Sequence, residues 1–118
     1  MKVSNYMENE FWEYLERLIA ITGVVIDRPK GSKHPRLPSL IYPLDYGFLR
    51  DTRTTDGSEI DVWVGSDPDN KLKEIICTVD IFKKDVEIKL LIGCTKDELE
   101  DIVNFHNSAS IKGLIIRR

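Results

Sequence analysis

The spacing of apolar residues predicts a helix near the start of the chain, followed by short strands. Within residues 8–22 apolar side chains recur every three or four positions, which places them on one helix face: Phe11, Trp12, Leu15, Leu18 and Ile19. Gly23 follows directly, so we expect the helix to end there. A β-rich run over residues 24–27 predicts the first strand.

Further strands are predicted by period-two alternation over residues 59–64 and by β-rich runs over residues 73–82 and 86–92. The short connector Lys83-Lys84 between the last two runs favours a hairpin. A final apolar run covers residues 113–116. Five strands are therefore expected.

A second helix is predicted between the last two strands. Thr95 and Glu98 have the spacing of a capping box, and the apolar positions that follow have helical periodicity: Leu99, Ile102, Val103 and Phe105. The order helix, strands, helix, strand favours a small twisted sheet or barrel with helices packed against it.

Length and charge limit the classes of protein that the chain can represent. Its 118 residues suffice for one domain, so we expect residues 1–118 to fold as a single unit. The net charge of −3 argues against a nucleic-acid partner bound through phosphate contacts. Because we find neither a membrane-spanning stretch nor an export signal, we expect a cytoplasmic protein with no membrane partner.

This small net charge conceals a separation of charge along the chain. The proline-rich segment 28–43 contains four lysines and arginines and no acid, whereas residues 51–69 contain six acids and one base, Arg53. A stiff basic segment is suited to binding an anion, although a solvated loop beside a sheet edge would have the same composition.

Acidic side chains also have a spacing that suits a metal site. Asp56 and Asp61 flank the start of one predicted strand, and Asp85 and Glu87 share one face of another. If the two strands meet, these carboxylates need a cation, and Mg²⁺ is the hard divalent ion that prefers oxygen ligands. A solvated acidic sheet face is the alternative interpretation.

Three motifs in order resemble the soluble family I inorganic pyrophosphatases. Residues 26–33 are IDRPKGSK, residues 42–48 are YPLDYGF and residues 56–62 are DGSEIDV. The family has E-I-P-K-G-S, Y-P-x-N-Y-G-F and D-G-D-P-x-D-V in the same order. The resemblance covers residues 24–92, a little over half of the chain.

The resemblance implies a mainly β, α+β fold. Its core would be a strongly twisted, five-stranded OB-like β-barrel with an N-terminal and a C-terminal helix packed against it. It also implies hydrolysis of diphosphate, or of another small phosphoanhydride, with several Mg²⁺ ions, for which Mn²⁺ can substitute. Because the family forms homo-oligomers, we expect a homo-oligomer here as well.

Residue roles follow from the same resemblance. It implies metal ligands at Asp56, Asp61, Asp85, Glu87 and, through water, Asp27. It implies substrate-binding groups at Arg36, Tyr46 and Lys89. Asp61 would bridge the two metals that activate the attacking water, which makes it the principal catalytic residue.

Three departures from the family pattern concern the substrate side of the site. Ser58 stands where the family has the aspartate proposed as general base, and the adjacent Glu59 is our candidate to replace it. The segment 35–41 is shorter than the family's substrate-binding hairpin. After Phe105 the family's Tyr-Lys pair is missing, and His106 or Lys112 is the available replacement.

Two hypotheses from different classes follow. The first is a compact Mg²⁺-dependent inorganic pyrophosphatase with reduced activity. The second is a non-hydrolytic module that retains the barrel and binds metal with phosphate or a nucleotide. Nucleic-acid binding by an OB-like barrel is disfavoured, because the sheet face that would meet phosphate is acidic.

Overall fold

A computed structural model describes the chain from residue 5 to residue 118, with side chains from Met7 onward. The elements, in chain order, are α1 (Asn5–Thr22), β1 (Val24–Arg28), β2 (Asp45–Leu49), β3 (Asp61–Val64), β4 (Leu72–Asp80), β5 (Asp85–Ile92), α2 (Lys96–His106) and β6 (Ile111–Arg117). Neither helix combines the length and the apolar character that crossing a membrane requires.

The six strands form one sheet in the order β1-β2-β3-β5-β4-β6. All neighbouring pairs are antiparallel except β3 and β5, which run parallel with Val62 opposite Leu90. Between residues 5 and 118 no pairing joins β1 to β6, so the sheet does not close into a barrel. The predicted fold class is confirmed, with an open sheet of six strands rather than a closed one of five.

The additional strand is β2, where the sequence predicted none. Asp45 and Gly47 are both poor strand formers, and they lower the local β propensity of this segment. Pairing with β1 on one side and β3 on the other outweighs that propensity. The strand therefore depends on its neighbours in the sheet rather than on its own composition.

The central strands bury both of their faces, so that the two helices lie on opposite sides of the sheet. Successive residues of one strand, such as Ile75 and Ile76, belong to different clusters. One cluster packs against α1 and comprises Trp12, Leu49, Val62, Leu72, Ile75, Leu90 and Ile92. The other packs against α2 and comprises Tyr42, Leu44, Trp63, Ile76, Leu91, Leu99 and Ile102.

The predicted helix boundaries are confirmed at the end of α1 and the start of α2. Gly23 adopts φ +87°, a left-handed conformation that glycine accepts readily, and its amide donates to Ile19 O at 2.9 Å. At α2, the Thr95 side chain accepts from the Glu98 amide and the Glu98 carboxylate accepts from the Thr95 amide. Glu98 also accepts from the Ser66 amide, which ties α2 to the end of β3.

Candidate active site

Lys89 lies at the centre of a polar network on the α2 side of the sheet. Its ammonium donates to Asp61 Oδ2 at 2.8 Å, to Glu87 Oε2 at 3.0 Å and to Tyr46 Oη at 3.0 Å. These three bonds use all the donors that an ammonium offers. The Lys89 side chain is only 8% exposed, whereas the two carboxylates keep contact with solvent.

Strand register explains why these side chains meet. Parallel pairing of Val62 with Leu90 places Asp61 and Lys89, one residue earlier on each strand, beside each other. Antiparallel pairing of Tyr46 with Trp63 brings the phenol to the same face. Glu87 precedes Lys89 by two residues on β5 and therefore shares its face. The expected meeting of the two acidic strands is thus observed.

Electrostatics fixes the protonation of Lys89 and Tyr46 near neutral pH. Burial alone would lower the pKa of Lys89, but the neighbouring Tyr46 and Asp61 outweigh it and raise the pKa above its ordinary value. Burial raises the pKa of the Tyr46 phenol, against the opposing effect of Lys89. The site therefore presents a fixed ammonium and a protonated phenol.

Next to this network lies a cavity of about 530 Å³ with an acidic lining. Acidic residues of the loop before β3, of β3 itself and of β5 are among those that line it: Asp56, Glu59, Asp61, Asp85 and Glu87. Arg53 is the one basic residue among those that line it. The structure thus gathers five of the predicted site residues around one space, and Lys89 contacts two of them.

Asp56 organises the turn that leads into β3. Its Oδ1 accepts from Thr54 Oγ1 at 2.5 Å and from the Ser58 amide at 3.1 Å. These hydrogen bonds lower the pKa of this exposed carboxyl, so it is ionised at neutral pH. Ser58 and Glu59 follow on the rim of the same cavity.

Four predicted site residues are not among those that line this cavity. Tyr46 and Lys89 belong to the network beside it, whereas Asp27 and Arg36 belong to neither, and the roles of all the predicted site residues stay predictions. Asp27 is exposed at an irregularity in the register of β1, between Ile26 and Arg28. Arg36 lies near His34: burial lowers the pKa of His34, and the charges of Arg28, Arg36 and Lys83 lower it further. Arg28, Arg36 and Lys83 thus form a basic cluster around His34, and none of the three lines the acidic cavity.

His106 is buried in the aromatic part of the core, a position that the sequence analysis did not predict. Its Nε2 accepts from Trp63 Nε1 at 3.1 Å, and the Trp63 ring packs against Tyr46 at 4.7 Å between centroids. His106 therefore does not replace the phosphate-binding pair that the family has here. Its spacing from Leu99 and Ile102 on the apolar face of α2 is the sequence signal that indicates burial.

The protonation of His106 predicts a pH dependence of stability. Burial, and to a smaller extent the Lys89 ammonium, lowers the pKa of His106 to about 4 from the ordinary value of 6.5. Between pH 4 and pH 6.5, His106 binds a proton in the unfolded chain but not in the folded chain. We expect the free energy of unfolding to fall by roughly 3 kcal/mol as pH decreases through this window.

Urea unfolding of the wild type at pH 7 and pH 4.5 measures this effect, with His106→Gln as the test variant. In His106→Gln, most of the difference in the free energy of unfolding between pH 7 and pH 4.5 should disappear. His34, the other histidine of the chain, is half-buried and its pKa is also lowered, so His34→Gln is the comparison variant and should remove a smaller part of the pH dependence than His106→Gln. An unchanged pH dependence in His106→Gln would contradict the assignment.

The cavity suits a divalent cation that is shared with a ligand. Within the part of the chain that the structure describes, no three His, Cys, Asp or Glu side chains converge closely enough to hold a metal ion by themselves. Mg²⁺ is usually bound by one or two carboxylates, with waters and substrate phosphate as the other ligands. The acidic lining, made of hard oxygen donors, fits that mode.

Comparisons with known proteins give a match in structure and none in sequence. No protein-family model and no curated protein matches the chain. A solved inorganic pyrophosphatase from the pathogenic bacterium Helicobacter pylori superposes with a TM-score of 0.55 and 18% identity. The match covers 80% of this chain and 81% of that one. The sheet and helices that hold the acidic cavity therefore have an inorganic-pyrophosphatase-like fold.

Proposed function

We propose that this chain is an inorganic diphosphatase that hydrolyses diphosphate to two phosphates with Mg²⁺ as its cofactor. The observation that carries the proposal is that five acidic residues line one cavity. An excess of acidic groups around one space favours a cation there. A pyrophosphatase-like fold and the three ordered motifs support the same activity.

The metal would be held by side chains that already face the cavity. When bound, Mg²⁺ would lower the pKa of a coordinated water and neutralise charge on the phosphoryl oxygens. Mn²⁺ has similar ligand preferences and is the expected substitute. The proposed ligands are Asp56, Asp61, Asp85 and Glu87, which line the cavity, and Asp27, which lies outside it and would act through water.

The basic and phenolic groups of the network would bind the phosphoryl oxygens. Lys89 keeps its positive charge, and its burial makes that charge more effective than it would be in water. Tyr46 stays protonated and can donate its hydroxyl hydrogen. We assign both residues to substrate binding, together with Arg36 from the basic cluster.

Glu59 is the proposed acceptor for the proton of the attacking water. It lines the cavity with Asp61, and a carboxylate is a stronger base than the Ser58 hydroxyl beside it. Ser58 is left to hold a water by hydrogen bonding. Because this replacement moves the base by one residue, we expect a lower rate than in enzymes with an aspartate at that position.

Phosphate release from diphosphate tests this function. We expect the purified chain to release two phosphates per diphosphate with Mg²⁺ or Mn²⁺, and to stop when EDTA removes the metal. Calcium, a larger ion with looser geometry, serves as the control cation and should support little turnover. Absence of phosphate release with both Mg²⁺ and Mn²⁺, or release that persists in EDTA, would refute the proposal.

A second candidate is a non-hydrolytic module that binds metal together with phosphate. The observation in its favour is that the Lys89 donors are all used within the protein, while Arg53 is the one base in the cavity lining. Isothermal titration with diphosphate and Mg²⁺ separates the candidates. Heat of binding without phosphate release supports the module, and the absence of both excludes it.

A further inference from the structure

Helix α1 has a second apolar stripe besides the one that packs on the sheet. The inner stripe contacts the core through Trp12, Leu15 and Ile19. The second stripe lies about a third of a turn around the helix, and its members alternate spacings of four and three residues: Met7, Phe11, Tyr14, Leu18 and Ile21. This spacing is the heptad pattern by which two helices pack along a common seam.

Most of the second stripe faces solvent. Tyr14 is 65% exposed and Ile21 is 80% exposed, whereas Leu18 is half-buried beside the core. Phe11 is 48% exposed, and its ring is supported by an edge-to-face contact with the buried Trp12, 5.5 Å between centroids. Exposed apolar residues are normally scattered singly over a surface, but these are aligned on one flank of one helix. The alignment indicates a surface for packing against another helix.

Exposed apolar residues of the sheet continue this surface. Val86 is 71% exposed and Ile88 50%, and both line one cavity with Phe11. They lie on the α1 side of the sheet, because Ile88 is paired with Cys77, which packs against the α1 cluster, and Val86 shares the face of Ile88. A partner packed along the second stripe would therefore border these two residues as well.

The combined surface has the size of one half of a stable dimer interface. Interfaces of standard size bury about 800 Å² on each partner. Six apolar side chains, each between 48% and 80% exposed, supply an area of that order: Met7, Phe11, Tyr14, Ile21, Val86 and Ile88. Contiguous apolar patches of more than a few hundred Å² mark interaction sites on soluble proteins.

Charges beside the second stripe complement those of another copy of the same helix. Glu10 and Arg17 are both exposed and occupy equivalent heptad positions, which flank the stripe on the same side. The guanidinium carbon of Arg17 lies 5.0 Å from the centroid of the Tyr14 ring, at the margin of the stripe. Since the stripe is centred on Tyr14, antiparallel pairing places Glu10 of each copy opposite Arg17 of the other. Parallel pairing does not bring these two charges together.

We propose that two copies of this chain form a two-fold symmetric dimer in which the second stripes of their α1 helices pack antiparallel. A two-fold interface uses the same patch on both subunits, and here each patch is apolar along its centre and supplies both partners of an ion pair. The inference goes beyond the proposed function, because it concerns the α1 side of the sheet. The Lys89 network on the α2 side takes no part in it.

Sedimentation velocity over a concentration series tests the dimer. We expect the full chain to sediment as a reversible dimer at micromolar concentrations. Tyr14→Glu puts two like charges at the centre of the seam and should raise the dissociation constant about 100-fold. Asn9→Glu adds the same charge to an exposed position of α1 outside the stripe, and as the matched control it should change the constant less than about twofold. Circular dichroism should show that both variants are folded, since both positions are exposed.

Charge reversal tests the antiparallel orientation. Glu10→Arg and Arg17→Glu each bring like charges together and should each weaken the dimer about fivefold. The double variant restores both ion pairs with their signs exchanged and should recover wild-type affinity, which independent effects of the two substitutions would not produce. The proposal is overturned if the wild type stays monomeric at about 100 μM, if Tyr14→Glu remains dimeric, or if the double variant is no tighter than either single variant.

Discussion

Replacing Asp61 with asparagine is expected to reduce the rate of diphosphate hydrolysis by about 100- to 1,000-fold. The substitution keeps the size of the side chain but removes the negative charge that Lys89 Nζ contacts at 2.8 Å. It also removes an anionic ligand at the point where β3 and β5 first come together. Steady-state phosphate release by wild type and variant at saturating Mg²⁺ measures the effect.

Two controls make this result specific to the site. Asp101→Asn changes an exposed carboxylate on α2 outside the cavity and should retain wild-type activity. Circular dichroism of Asp61→Asn should show a folded protein, because Glu87 and Tyr46 still accept hydrogen bonds from Lys89. Retention of more than about one tenth of wild-type activity by the folded variant would refute the role of Asp61.

The second large effect is expected from Gly47→Ala, on stability rather than on chemistry. A Cβ atom at Gly47 would lie 1.8 Å from the carbonyl oxygen of Val25 and 2.9 Å from Ile26 Cα. Both are backbone atoms of β1, so no side-chain rotation relieves the clash and the two strands must separate. We expect a loss of about 3 kcal/mol or more in the free energy of unfolding.

Thermal and urea unfolding measure this loss. A decrease of about 3 kcal/mol corresponds to a midpoint roughly 10 °C lower in a domain of this size. Gly31→Asn is the matched control, because a Cβ at Gly31 meets nothing within 4 Å and asparagine tolerates its φ of +87°. If Gly47→Ala and Gly31→Asn unfold at the same midpoint temperature, β1 does not approach Gly47 as closely as described.

Local signals in the sequence were sufficient to predict both helices and most of the strands. The capping box at Thr95 and the glycine at position 23 predict where α2 begins and α1 ends, and both are observed. The OB-like pyrophosphatase fold was predicted from three short motifs, and the structural match confirms it. The signals for these features lie in residues that are close together in the sequence. They can therefore be predicted from the sequence alone.

Other features depend on pairing between distant strands and have no local signal. The parallel contact of β3 with β5 decides that Lys89 binds Asp61, and no spacing in the sequence encodes it. Strand β2 was missed for the same reason, since its pairing with β1 and β3 outweighs a weak local β propensity. The burial of His106 did have a local signal, its spacing from Leu99 and Ile102 on α2, which the sequence analysis did not use. The homo-oligomer and the cytoplasmic location stay predictions.

The placement of α1 and α2 on opposite faces of the sheet has a consequence for how this protein can evolve. The α2 face supports the network of Lys89, Tyr46 and Trp63, whereas Phe11 of α1 and Val86 of β5 are exposed on the α1 side of the sheet. Substitutions at Phe11 or Val86 change that surface without touching the α2 cluster. This surface can therefore diverge among descendants of this sequence while the residues proposed to bind phosphate stay the same.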